Sequence, residues 1–276
     1  MTCSSGRGER GKRPLRRAAR GDTLDAMTGA GDLYETIGAT YTATRQEDPR
    51  VAAAVRDALG GAATILNVGA GAGSYEPSDR TVVAIEPSPT MVAQRRGRSA
   101  LVAQAVAEAL PFPDGAFDAA MAVLTVHHWG DRGRGLHEMA RVSRRQVVFY
   151  FEPLQTHGFW ALEYFPEALE LPTEHDAPGE DVLRAALAVR EVRRVLVPAD
   201  CRDGFGAAFW ARPEAYLDPA VQAGMSWLAM LPDGVRRRGT DHLRRDLASG
   251  EWDRRHGHLR RQSTYDGGYR IAIAGR

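Results

Sequence analysis

Five short apolar runs punctuate residues 64–152: Thr64–Gly69, Thr81–Glu86, Leu101–Ala105, Phe117–Val123 and Gln146–Glu152. Each has the length of a strand, and most are apolar at nearly every position, as in strands buried on both faces. Thr90–Arg96 and Arg132–Val142, which lie between them, carry helical spacing. Strands that alternate with helices and hide both faces must form a parallel sheet with helices on either side. Upstream, Leu33, Ile37 and Tyr41, then Val51, Val55 and Leu59 after Pro49, step at helical intervals. After Pro153 the pattern loosens. Phe159–Leu169 and Asp181–Val189 read as helices, Val192–Val197 as a strand, residues 205–262 as mostly helical, and Tyr269–Ala274 as a last strand. The stretch 205–262 therefore reads as an insertion between the last two strands.

Charge is unevenly spread. The first 20 residues hold seven basic side chains and one acid, so the +1 total joins a +6 leader to a body of about −5. Lys12 is the sole lysine among 36 basic residues. An acidic body argues against a surface built to hold nucleic acid. Residues 1–26 read as a disordered basic leader, and 27–276 as one domain. Its sheet core is expected at 60–153, 190–200 and 268–274, with a helical lid at 154–189 and 205–262. The longest uncharged stretch, Ala58 to Tyr75, is too rich in glycine and polar residues to span a membrane. Two cysteines, Cys3 and Cys201, cannot make a disulfide framework, and a reducing cytoplasm is expected.

The chemistry starts at Gly69-Ala-Gly71-Ala-Gly73, directly after the first strand. Glycines there let the backbone turn sharply and approach a ligand with no Cβ between. Glu86 ends the second strand, where a carboxylate can accept hydrogen bonds from both hydroxyls of a ribose. Together they point to an adenosine-containing ligand. The seven residues between Gly73 and Thr81 include Pro77 and leave little room for a helix. A pyrophosphate seated on a long helix N-terminus is thereby disfavoured.

With Ala107-Glu-Ala-Leu-Pro-Phe-Pro-Asp-Gly-Ala-Phe-Asp118 the order of motifs becomes specific. Ile65–Gly73, Val83-Ala-Ile-Glu-Pro-Ser88 with Met91, and this third segment resemble the class I S-adenosylmethionine-dependent methyltransferases. The likeness is greatest to the type 11 small-molecule branch that holds the ubiquinone and menaquinone enzymes. The resemblance covers about residues 33–152. It implies an α/β, Rossmann-like sheet of seven strands, mostly parallel, with an antiparallel last strand. It also implies S-adenosylmethionine as cofactor and S-adenosylhomocysteine as its product. By this likeness Gly69, Ala70, Gly71 and Gly73 pass beneath the methionine part, and Glu86 holds the ribose. Pro87 and Met91 border the adenine, Ala107 and Glu108 sit near its amino group, and Leu124 lines the far side. Tyr34, Tyr41 and Arg45 would close over the cofactor. Asn67 replaces the usual acid before the first glycine, and Val106 replaces an aspartate before Ala107-Glu108.

Acceptor chemistry is less defined. His127, His128 and Glu152 lie at strand ends, where ligands of open α/β sheets gather, and are the candidate general bases. Adjacent histidines usually diverge, so at most one is expected to face the site. Trp129, Phe159, Trp160, Tyr164, Phe209 and Trp210 are the candidate contacts for a planar or apolar small substrate. No metal site is expected, since Asp114, Asp118, His127 and His128 form no recognisable ligand cluster and His256 and His258 lie among arginines. Arginines at 236–238, 244–245, 254–255 and 260–261 are interleaved with acids and read as solvated helix faces. An RNA or nucleotide methyltransferase using the basic leader, and a non-catalytic ligand-binding protein on the same fold, are the competing readings.

Overall fold

The structure, a computed structural model, describes Met1 and residues 45–95, 100–153, 158–175 and 177–276. Helix α1 (Pro49–Leu59) starts where Asp48 accepts a hydrogen bond from the Arg50 N–H, with Pro49 in the first turn. It ends at Gly60, whose φ of 59° suits a residue without a Cβ. Val51, Val55 and Leu59 form its buried face, as their spacing predicts.

Strands β1 (Thr64–Val68) and β2 (Thr81–Ile85), helix α2 (Pro89–Ala93), and strands β3 (Leu101–Ala103) and β4 (Phe117–Val123) follow. Helix α3 (Arg132–Val142), strand β5 (Ser143–Phe151), helices α4 (Pro172–His175) and α5 (Glu180–Ala186), and strand β6 (Val189–Arg194) continue the chain. A short hairpin of β7 (Val197–Pro198) and β8 (Thr264–Tyr265) brackets the insertion before β9 (Tyr269–Gly275). The main sheet runs β3-β2-β1-β4-β5-β9-β6. Its first five strands are parallel, and β9 is antiparallel to both β5 and β6. That is the seven-stranded arrangement the resemblance implies.

Alternation along each strand separates two cores. Ile65, Ala119, Met121, Phe149 and Ile273 face α1 and the insertion. Leu66, Ala120, Ala122, Val148 and Ala272 face α3 and the side of α5. No helix forms between Gly73 and Thr81, in keeping with the short link and Pro77.

Several expected elements differ. Phe159–Leu169 forms two 3-10 turns, Trp160–Glu163 and Pro166–Glu170, rather than one helix. Pro166 lacks an N–H and pushes Phe165 out of helical geometry, to φ −132° and ψ 57°. The Phe165 ring instead packs on Gly239, where a Cβ would come within 2.4 Å of it. The helix expected to reach Val189 stops at Ala186, and Val189 already pairs with β9. The expected strand Val192–Val197 is split between β6 and β7.

Trp160, from the segment after β5, packs with Trp210, Tyr216, Trp227 and Trp252 of the insertion in a dense aromatic core. The insertion's outer arginines pair with neighbouring acids: Arg236 with Asp233, Arg244 with Asp241, Arg254 with Glu251, and Arg260 with Asp253. These are the solvated mixed-sign faces read from the sequence, and such pairs add little stability.

Candidate functional site

The glycine loop is fastened to the end of β2. Gly69 and Ala70 both donate to the Ile85 carbonyl at 2.9 Å. Gly69, Gly71 and Gly73 have φ of 68°, 51° and 91°, which side chains rarely tolerate. At Gly69 a Cβ would fall 2.3 Å from Thr125 Oγ1, so the loop lies flush against the residue that follows Leu124. Met91 is buried, and its Sδ methyl borders Gly71.

Glu86 is 7% exposed and reaches across the loop mouth. Its carboxylate accepts from Gly71 N at 2.7 Å and from Ser88 N at 2.9 Å. Burial raises its pKa, and those two N–H groups, with Arg95, oppose the rise. Each oxygen retains acceptor capacity. The next turn is ordered by Ser88, which caps α2 by accepting from Met91 N, and by Gln104, which donates to the Pro87 carbonyl.

Asn67 is 1% exposed. Its Nδ2 donates to Glu76 Oε1 at 2.9 Å, and Glu76 pairs with buried Arg95 at 2.7 Å. Arg95 also donates to the Gly71 carbonyl. Glu76 thus brings beneath the loop the carboxylate that Asn67 lacks. Neither Glu76 nor Arg95 belongs to a recognisable motif, and both were missed. Asn67 Oδ1 has no hydrogen-bond partner among the described residues. An open cradle without Cβ atoms, a carboxylate fixed at its mouth and an unsatisfied acceptor under it suit a nucleoside with a cationic amino-acid tail.

Not every expected cofactor contact faces this cradle. Glu108 accepts from Asp131 N at 3.0 Å and ties down the turn before α3. Ala107 is buried in the sheet's second core, close to Gly135. Arg45 pairs with buried Asp203 at 2.6 Å, and Asp203 also accepts from Tyr75 OH. Tyr34 and Tyr41 lie outside the described residues.

Beside the cradle, at the C-terminal edge of the parallel strands, is a small, partly open cavity of about 40 Å³. Leu124 forms part of its wall and has φ of 48°, a strained value for a side chain of its kind. Arg45, His127, His128 and Glu174 are its ionisable lining, and Phe151, Phe205, Trp227 and Tyr269 its aromatic lining. Both histidines reach it, contrary to the expectation for neighbours. They sit in a 3-10 turn (Val126–His128) with ring centroids 3.8 Å apart, and His127 packs edge-on against Phe151.

Burial first, then nearby positive groups including Arg132 and Arg45, pushes the His127 pKa well down and that of His128 to about 4. Both imidazoles are therefore neutral near neutral pH. Their folded pKa values lie below the unfolded one, so the stability they contribute is full above pH 6.5 and is lost as pH falls through the folded values. For His128 this is up to about 3 kcal/mol. Thermal melts between pH 7 and pH 4 are expected to show this loss, and His128→Asn to show less of it. A loss of equal size in the variant would mean that groups other than His128 carry it.

The remaining candidates lie elsewhere. Glu152 pairs with Arg270 at 3.0 Å and does not line the cavity. Trp129 lies on Gly135, where a Cβ would come within 2.5 Å of its ring, so it packs on α3. Phe159, Trp160, Tyr164 and Trp210 are buried in the aromatic core that the insertion shares with the segment after β5, with Trp160 Nε1 bonded to the Trp210 carbonyl and Tyr164 OH to Asp246. Phe209 stands partly buried under the Arg212 guanidinium. The aromatic walls come instead from Phe151, Phe205, Trp227 and Tyr269. Glu174 was missed because nothing around it resembles a motif; only its burial marks it. Among the described residues no group of three or more His, Cys, Asp or Glu side chains is placed to hold a metal, and no helix is long and apolar enough to cross a membrane.

Comparison with known proteins agrees with this geometry. Residues 66–151 match the family described as a methyltransferase domain. The uncharacterized methyltransferase YcgJ of Bacillus subtilis is 32% identical over 169 residues, which span 56% of this chain and 58% of YcgJ. The crystal structure of a protein described as a methyltransferase from an antibiotic biosynthesis pathway of Anabaena variabilis is 30% identical. It superposes with a TM-score of 0.77 over 84% of this chain and 99% of its own. The cyclase SpnF, 18% identical with a TM-score of 0.50 over 91% of this chain and 96% of its own, shares the fold. Sheet order, glycine loop, terminal carboxylate and a relative matched over nearly its whole length agree: the chain belongs to the class I S-adenosylmethionine-dependent methyltransferases.

Proposed function

We propose that this protein, as a single domain in a reducing cytoplasm, transfers the methyl group of S-adenosylmethionine to a small acceptor with an aromatic or apolar body. The observation that carries this reading is the contact, through Leu124 and Thr125, between the glycine cradle and the partly open cavity beside it. Bound S-adenosylmethionine supplies a methyl carbon already activated by its sulfonium. Glu86 would accept from the ribose, the loop would leave room for the methionine part, and Pro87 and Met91 would flank the base. Alignment and exclusion of water are then the main tasks left to the chain. The aromatic walls exclude water, and the two neutral imidazoles present acceptor nitrogens without adding charge. Cys201, buried as a free thiol with its pKa pushed up to about 12 by burial, is inert and suits a reducing compartment.

Glu86→Ala is expected to weaken cofactor binding by about 1–3 kcal/mol, since it removes a charged acceptor of ribose hydrogen bonds. Unchanged affinity in that variant would place the ribose elsewhere. The activity itself is tested with labelled S-adenosylmethionine, a set of small aromatic acceptors and bulk RNA. Label is expected to enter small acceptors. Transfer to RNA alone would overturn the small-acceptor reading, and cofactor binding with no transfer to any acceptor would favour a binding protein on this fold.

A further inference from the structure

Glu174 stands out in the cavity wall. It belongs to α4, a single turn that packs against the His127–His128 turn. It is 4% exposed, its Oε2 has no hydrogen-bond partner among the described residues, and it lines the cavity. A buried carboxyl group left unsatisfied is costly, and a fold that keeps one facing open space keeps it for something that enters that space.

Its surroundings narrow what can enter. Two imidazoles from the turn after β4, the Tyr269 phenol from β9, and Arg45 share the cavity with Glu174. The imidazoles are neutral, for the reasons given above. The Tyr269 oxygen accepts from Ala207 N, and burial raises its pKa, so it too is neutral. Arg45 is held by Asp203. Burial alone acts on Glu174 and pushes its pKa up to about 8, with no neighbouring cation to oppose the rise. The cavity thus has a latent negative charge, and the one cation lining it among the described residues, Arg45, is already paired with Asp203. Around it stand the faces and edges of Phe151, Phe205, Trp227 and Tyr269, which accept flat apolar bodies and favour a cation over their faces.

We propose that this cavity binds an amine, an organic cation with an aromatic or apolar body, and that Glu174 is its counter-ion. The inference rests on the methyl-transfer reading only in taking that amine to be the methyl acceptor; the binding site stands on the cavity and on Glu174. An alkylammonium group titrates near ~10, as the lysine side chain does, above Glu174. In the complex the proton therefore stays on nitrogen and the carboxyl group ionises. Near pH 7, where the empty cavity holds Glu174 mostly protonated, binding an ammonium ion releases close to one proton to solvent. A matched alcohol leaves Glu174 protonated and releases none. A matched carboxylic acid brings a second negative charge and is disfavoured.

The test is calorimetry on the full chain without S-adenosylmethionine, near pH 7, in two buffers of different ionisation enthalpy. The probes are 2-phenylethylamine, tryptamine and hexylamine, each with its alcohol and carboxylate counterpart. At least one amine is expected to bind about tenfold or more tightly than its alcohol, with release of close to one proton. Glu174→Gln keeps the shape but cannot ionise. It should lose that preference and the proton release, while its affinity for the alcohol and for S-adenosylhomocysteine stays as in the parent chain. Its melting temperature should also lose the fall that the parent shows as pH rises from about 5 to about 8, the window in which the unfolded chain, but not the folded one, releases this proton. Alcohols that bind as well as every amine, or a Glu174→Gln variant that keeps the preference, would overturn the proposal. Amine binding with no S-adenosylhomocysteine binding would count against the methyl-transfer reading and leave this one standing.

Discussion

Gly71→Val is expected to lower affinity for S-adenosylhomocysteine by about a hundredfold or more, equivalent to about 3 kcal/mol, with the fold retained. Gly71 has φ of 51°, and its N–H is the 2.7 Å donor that holds Glu86 in place. A Cβ there would lie 3.3 Å from the Met91 terminal methyl, close but negotiable by a flexible side chain. Strain from a β-branched residue in the left-handed region costs about 1–2 kcal/mol of stability, which a domain of this size survives. The larger cost falls on the ligand. The added methyl groups stand where the loop must be bare, and any relaxation of the loop releases Glu86. Calorimetry and a thermal melt on the same sample separate the two effects. A folded variant that binds normally would show that the loop is a simple turn.

Trp160→Ala is expected to cost about 3–5 kcal/mol of stability. The indole is 2% exposed. Its Nε1 donates to the Trp210 carbonyl at 2.8 Å, and its ring meets Tyr164, Tyr216 and Trp252 edge to face. Truncation opens a large cavity and strands a buried carbonyl. Denaturant unfolding gives the size of the loss. Well below the new midpoint, affinity for S-adenosylhomocysteine should be unchanged, because Trp160 belongs to neither the cradle nor the cavity. A stability change under about 1 kcal/mol would return Trp160 to the role of an exposed substrate contact.

The centre of the sheet was legible because its strands are buried on both faces, whereas the edge strands β3 and β6 are largely exposed. Runs such as Thr81–Ile85 and Phe117–Val123 state burial directly in their composition, and Gly69, Gly71 and Gly73 state where the backbone must turn. Asp48 and Pro49 mark the start of α1, and Gly60 its end, by local chemistry alone. The acceptor side had no such local signature. Aromatic residues are equally at home in a core and in a cavity wall, and the sequence does not say which way a ring points. Trp160 and Tyr164 lie in the core alone, while Phe205 and Trp227, buried as deeply, also line the cavity. Pro166 shows the same limit at the level of an element, since helical spacing from Phe159 onward says nothing of the 3-10 turns that let Phe165 meet Gly239. The replaced acid at Asn67 was visible, but its compensation by Glu76 depends on a loop that takes the place of a helix. Glu174 is the clearest case: a glutamate in Leu-Pro-Thr-Glu-His is unremarkable until the fold buries it opposite two neutral histidines.

Cofactor binding is measured most directly by a calorimetric titration of the intact chain with S-adenosylhomocysteine. Saturable binding at one site is expected, weakened by Glu86→Ala and nearly lost in Gly71→Val. A folded chain that gives no heat and no thermal shift with S-adenosylhomocysteine or S-adenosylmethionine would contradict it.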